Sequence, residues 1–149
     1  WTVREQGMKS SARNSFPGKV VDVRRGAVND EVEVEIAGGQ RLLAVVTHES
    51  AQRLGLRLGR EVFALVKASS VILNTEEEGI LFSARNHLTG KVARLRRGAV
   101  NCDVVVELDG GGQISALITN ESCDALAMAE GSPVSAIFKA SSVILAARV

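Results

Sequence analysis

A chain of 149 residues with 46% apolar residues has material for one ordinary domain or two small ones, which excludes a disordered tail. With 18 Lys and Arg against 17 Asp and Glu, the net charge of +1 provides no overall field for nucleic acid or an anionic membrane, so any charge-driven function is local. No uncharged apolar run approaches the ~20 residues that cross a bilayer, and no secretory signal opens the sequence, so a soluble, cytoplasmic protein is expected.

The opening Trp1-Thr2-Val3-Arg4 is no natural start, so a removed upstream segment is expected, with Met8 as the alternative initiator. The first residues read as a linker. From Ser11 onward the chain repeats itself at a constant offset of 72. Ser11-Ala12-Arg13-Asn14 returns at 83–86, Gly26-Ala27-Val28-Asn29 at 98–101, Thr47-x-Glu49-Ser50 at 119–122, and Lys67 to Leu73 at 139–145. Residues 11–73 and 83–145 share 33 identities in 63 positions without a gap, a tandem duplication. The first repeat is assigned to 11–73, the second to 83–149, and 74–82 is the connector, whose Glu76-Glu77-Glu78 reads as solvated.

Within a repeat the apolar period is two. Lys19–Arg24 and Glu31–Ile36 alternate β-branched with charged residues, as half-buried strands do. Leu42–Val46 and Val62–Val66 read as buried strands, and Val71–Leu73 adds a short one. The one helical signal is His48–Leu54, closed by Gly55 with Thr47 placed as N-cap. Asn29 and Asn101, after Gly-Ala-Val, read as turn residues in left-handed geometry. Five short strands and one short helix per repeat predict a mainly β chain, two tandem OB-like small β-barrels each with one short helix. Repeats this small are near the limit of independent stability, so an oligomer is expected.

The polar strings are repeated more faithfully than the core. Val45 becomes Leu117, Val46 becomes Ile118 and Leu56 becomes Met128, swaps that packing tolerates. Ser11, Arg13, Thr47, Ser50, Lys67 and Ser69 are unchanged at Ser83, Arg85, Thr119, Ser122, Lys139 and Ser141. These hydroxyls and cations donate hydrogen bonds, Thr47 and Ser50 stand at a helix start, and two positive charges match a small tetrahedral oxyanion. Each element also has a structural reading: a helix cap at Thr47 and Ser50, an ion pair at Arg13, a snorkelling Lys67, and a turn at Ser69-Ser70. Their joint recurrence favours binding.

For catalysis the sequence is poor. No His or Cys recurs between repeats, and GxSxG, Walker A and zinc motifs are absent, so a non-enzymatic protein is expected. Cys102, Cys123, His48 and His87 lack metal-ligand spacing and no metal site is assigned; the thiols are expected to be free. A nucleic-acid-binding barrel is the fold-level alternative. It would rest on Arg24-Arg25, Arg94 and Arg96-Arg97, in a chain with four Phe, one Trp and no Tyr to stack on bases.

The strings SARN, GKV, GAVN, GG, T-x-ES and KASSVI, in this order and twice over, resemble the Mop or molbindin family of molybdate-binding domains in its tandem form. The resemblance implies OB-like barrels that exchange an N-terminal strand with a partner, here residues 1–10, and bind molybdate, often tungstate too, between units. Carried over, the oxyanion ligands fall on Ser11, Arg13, Thr47, Ser50, Lys67 and Ser69, with the Ala12 and Ala68 N–H groups, and on Ser83, Ala84, Arg85, Thr119, Ser122, Lys139, Ala140 and Ser141. Asn29 and Asn101 would serve a second kind of site on a symmetry axis. One site is expected to join the SARN string of one unit to the Lys-Ala-Ser string of another, in a homodimer or homotrimer. Two contexts compete. One is the sensor of a molybdate-responsive transcription regulator, touching DNA only through an N-terminal domain before Trp1; the other is a free-standing storage or homeostasis protein. The linker-like residues 1–7 favour the regulator.

Overall fold

The computed structural model describes residues 11–149, so the linker or exchanged strand expected over 1–10 lies outside the described residues. In chain order the strands are β1 (Asn14–Arg24), β2 (Asn29–Ile36), β3 (Arg41–Thr47), β4 (Glu61–Val66), β5 (Ile72–Asn74), β6 (Asn86–Arg97), β7 (Asn101–Leu108), β8 (Gln113–Thr119), β9 (Pro133–Phe138) and β10 (Ile144–Ala146). Helix α1 (His48–Leu54) lies between β3 and β4, and α2 (Asn120–Leu126) between β8 and β9. The chain is mainly β, with two tandem OB-like sheets and one short helix per repeat, as the alternating pattern predicts.

The first compact unit consists of the residues through Val66 together with Ala140–Val149. Its antiparallel sheet runs β10-β4-β1-β2-β3. Strand β1 starts at Asn14, earlier than the expected Lys19. Pro17 and Gly18 hide its first half from an alternation search, yet Asn14–Lys19 ladder with Val66–Glu61 of β4 while Gly18–Arg24 ladder with β2. One strand thus serves two neighbours that overlap at Gly18–Lys19, and a register shift between Val20 and Asp22 bends it just beyond the overlap. Gly18 allows this crossing: a Cβ there would stand 2.5 Å from the Glu35 carbonyl oxygen. Val20, Val32, Val34, Leu42, Ala44 and Val62 fill the interior, with Leu56 and Ala51 of the helical segment closing it. Edge strands β10 and β3 come into contact, curling the sheet towards closure.

The second unit, Lys67–Lys139, repeats this design with the order β5-β9-β6-β7-β8 and the same register shift between Val92 and Arg94. Among the described residues the exchanged strand is the short last strand of each repeat, whereas the resemblance implies an N-terminal one; β6, which opens the second repeat, pairs within its own repeat. The strand expected at Val71–Leu73 in the first repeat is β5, shifted by one residue to Ile72–Asn74, and it pairs with β9 of the second repeat, Leu73 opposite Ala136. Reciprocally, β10 of the second repeat pairs with β4 of the first, Leu145 opposite Ala64. Leu73 and Leu145 turn inward and Ile72 and Ile144 outward, so the exchanged strands keep the period of two.

Two local expectations change. Asn29 and Asn101 are extended first residues of β2 and β7, not left-handed turn residues, because the ladder to Thr47 and Thr119 already begins at them. The connector is not simply solvated either. Glu77 accepts from Ser135 Oγ at 2.7 Å and lies 2.7 Å from His87 Nε2, and these contacts, Ser135 first, hold its carboxyl below the usual range.

Candidate anion-binding site

Thr47 ends β3 and caps α1. Its backbone is extended, its Oγ1 accepts from the Ser50 N–H at 3.1 Å, and its hydroxyl donates to Ser50 Oγ at 2.8 Å. Thr119 and Ser122 repeat the arrangement at 3.0 and 2.9 Å. With the threonine proton directed at the serine, the serine hydroxyl hydrogen is the one left to donate outward. Asn29 stands opposite Thr47 in the ladder and Asn101 opposite Thr119, so the proposed second-site asparagines are neighbours of the capping threonines. The Gly-Ala-Val-Asn turn is tied to the helix start through the His48 N–H to Val28 carbonyl bond of 2.8 Å, and through Asn120 to Val100 at 2.9 Å.

The Lys-Ala-Ser strings form short 3-10 turns over Ala68–Ser70 and Ala140–Ser142. Ser70 N–H donates to the Lys67 carbonyl at 2.9 Å, Ala68 and Ala140 are buried, and Lys67, Ser69, Lys139 and Ser141 stay exposed. Because each turn leads into an exchanged strand, it joins the other repeat's sheet. The turn over Ala68–Ser70 packs against β8, which ends at Thr119; that over Ala140–Ser142 packs against β3, which ends at Thr47. The second unit therefore holds Lys67, Ala68 and Ser69 together with Ser83, Ala84, Arg85, Thr119 and Ser122. The first holds Ser11, Ala12, Arg13, Thr47 and Ser50 with Ala140 and Ser141, and Lys139 is the last residue of the second. Arg13 and Arg85 are exposed and immediately precede buried Asn14 and Asn86, which open β1 and β6 opposite Val66 and Phe138.

The first unit also contains a polar cluster that the sequence reading passed over. Asp30 is 0% exposed. Its Oδ1 accepts from the Gly26 N–H at 2.9 Å, His48 Nδ1 lies 3.0 Å from both carboxylate oxygens, and Arg25 Nη1 is 3.6 Å from Oδ2. The Gly26 bond above all, then His48 and Arg25, keeps the carboxyl below the ordinary 3.8 despite its burial. A signal was available: Asp30 is in phase with Val32, Val34 and Ile36, the inward face of β2. At the matching places the second unit has Cys102, Asn120 and Arg97. Asn120 Nδ2 donates to the Gly98 carbonyl, Arg97 bonds Asp124, and burial pushes the Cys102 thiol up to about 11, with Cys123 hydrogen-bonded beside it. Both thiols are free.

The duplicated fold and strings match the TOBE domain over residues 10–73 and again over 83–145. The chain belongs to the TOBE domain family. This TOBE chain is 44% identical over 144 residues to the molybdenum transport protein ModE of Herbaspirillum seropedicae, covering 97% of this chain and 54% of ModE. It is 47% identical over 139 residues to the molybdenum-pterin-binding protein MopA of Rhodobacter capsulatus, covering 93% and 52%. The chain spans about half the length of the curated relatives it matches. Among solved structures, the cytoplasmic molybdate-binding protein ModG, in a crystal form with molybdate bound, superposes with a TM-score of 0.91 at 48% identity, covering 95% of this chain and 100% of that one. The resemblance to molbindins read from the six strings is borne out. No helix among the described residues is long and apolar enough to cross a membrane.

Proposed function

We propose that this TOBE tandem binds molybdate reversibly, with tungstate as an alternative ligand, and performs no catalysis. The observation that carries this reading is the strand exchange: it places the Ala-Ser turn of one repeat in the same unit as the Thr-x-Glu-Ser cap of the other. Hydroxyls, turn N–H groups and the Arg and Lys charges are donors of the kind that a tetrahedral dianion takes. The proposed ligands are Ser11, Ala12, Arg13, Thr47, Ser50, Lys67, Ala68, Ser69 and their counterparts at Ser83, Ala84, Arg85, Thr119, Ser122, Lys139, Ala140 and Ser141, with Asn29 and Asn101 at a second kind of site. Sulfate has the same charge and shape but shorter bonds, so discrimination rests on size. The ModE and ModG relatives support the ligand.

The role we favour is the sensor part of a cytoplasmic, molybdate-responsive transcription regulator, supported by relatives named as ModE regulators in Escherichia coli and Yersinia pestis. DNA would be bound by a part of such a regulator outside the matched residues, and the assembly is a homodimer or homotrimer. The ModG match, which spans that protein's whole chain, favours the second reading, a free-standing storage or homeostasis protein. Isothermal titration with sodium molybdate, with sulfate as control and mass from light scattering on the same sample, tests the proposal. Saturable molybdate heat without sulfate heat is expected. Unchanged affinity after Arg13→Ala combined with Lys67→Ala overturns the ligand assignment.

A further inference from the structure

Beside α1 lies an open cavity of about 400 Å³, lined by Arg25, His48, Gln52 and Arg57 over a floor that includes Ala51 and Leu56. It lies wholly in the first unit. A helix advances about 100° per residue, so His48 and Gln52 share one side of α1 while Ser50 points roughly 160° away from both. The cavity is therefore distinct from the Thr47–Ser50 cap.

Its polar groups are held in place from behind. A carboxylate can only accept, so the His48 nitrogen beside Asp30 is the protonated Nδ1 and the ring presents Nε2 as its remaining polar atom. Arg25 is held between Asp30 and the Leu56 carbonyl, with Nη2 at 3.4 Å, and Arg57 Nη1 is 3.2 Å from the Gly55 carbonyl. No acidic side chain is among the lining residues; Asp30, the carboxylate behind them, is fully buried. The second repeat has none of this. Asn120, Asp124 and Ala129 replace His48, Gln52 and Arg57, and the surviving Arg97 is bonded to Asp124.

We propose that this cavity is a second anion site, present in the first unit alone, that takes the phosphoryl group of a small phosphate ester. Two guanidinium groups and the Gln52 amide N–H match phosphoryl oxygens, and the His48 Nε2 lone pair can accept from the P–OH of a singly ionised ester. The volume falls in the range of small-molecule sites and far exceeds what a bare ion needs, which leaves room for the ester's organic part beside the side-chain stems of Arg25, Gln52 and Arg57. The site does not depend on the molybdate reading.

The test is a titration of the full chain with glycerol 3-phosphate, and separately with inorganic phosphate, followed by 1H–15N correlation spectra. Saturable shifts are expected at the amides of His48, Gln52, Gly55 and Arg57, with the ester binding more tightly than the ion. Arg57→Ala and Gln52→Asp install residues the second repeat already carries in the same fold, and each is expected to weaken binding about tenfold or more. Absent shifts, or shifts unchanged by both substitutions, overturn the site. Equal binding of inorganic phosphate overturns the ester assignment. Displacement of the ester by molybdate makes the cavity part of the site already proposed and overturns the claim of a second one.

Discussion

The two units share strand order, bulge, caps and exchanged strand, yet they solve one problem in different ways: how to fix the turn before the second strand to the start of the helix. The first unit buries a carboxylate, Asp30, under three donors. The second buries a thiol, Cys102, and leaves the polar contacts to Asn120 and Arg97 nearer the surface. A buried charge is tolerated only while all its partners are present, whereas a small weakly polar group asks for little. What both units retain, the hydroxyl cap and the Lys-Ala-Ser turn, is what the proposed ligand needs. What differs is the scaffold behind it.

Replacement of Asp30 should expose this difference most strongly. Asp30→Ala leaves Gly26, His48 and Arg25 without their common acceptor and is expected to lower the thermal midpoint more than any other change considered, while Cys102→Ala is mild; paired melting curves check this. Next in size is ligand binding. Lys67→Ala and Lys139→Ala each remove a charged hydrogen bond, roughly 1.5–3 kcal/mol, so molybdate affinity at one of the two equivalent sites should fall about ten- to more than a hundredfold in calorimetry, with the double variant weakening both.

Smaller effects separate the helix ends. Gly55 closes α1 at φ 65°, but its counterpart Ala127 holds φ 51° with a side chain. Ala127→Gly is expected to stabilise by about 0.5–1 kcal/mol and Gly55→Ala to destabilise by about as much, opposite signs readable in urea denaturation. Acid should separate the units more gently. The carboxyls of Asp30 in one unit and Glu77 in the other lie below their ordinary 3.8 and 4.5. Each therefore contributes stability that is full above those values and is lost as pH falls through the lowered one. Asp30→Asn and Glu77→Gln should each remove one part of that acid loss in pH-dependent unfolding.

Local features of this architecture were readable from the chain and non-local ones were not. Thr47 as cap, Gly55 as helix stop and the alternation of Glu31–Ile36 need only neighbours within a few residues, and all three appear in the structure. The partner of Val71–Leu73 is set by a ladder to residues more than sixty positions away, which periodicity does not encode. Pro17 and Gly18 concealed the first half of β1 because it must cross between two neighbours. The inward phase of Asp30 with Val32 and Val34 was legible too, but the convergence of Arg25, Gly26 and His48 on it was not, because His48 reaches it from beyond the next strand. For the candidate ligands, the strings were legible and the resemblance implied that a site would join two units; that the strand after each Lys-Ala-Ser turn carries it into the other repeat's sheet was not, because that ladder is non-local.

That exchange also dictates what a gene carrying one copy could make. A lone repeat would have four strands, an uncovered edge on its fourth, and a short apolar strand with nowhere in its own sheet to go. Two such chains complete one another by trading tails, so self-association is built into the repeat itself. Fusing two copies turns an encounter between molecules into an event along one chain, at an effective concentration set by the connector instead of by expression level. Duplication thus made assembly of the fold independent of dilution, and left each copy free to change its interior, as Asp30 and Cys102 have.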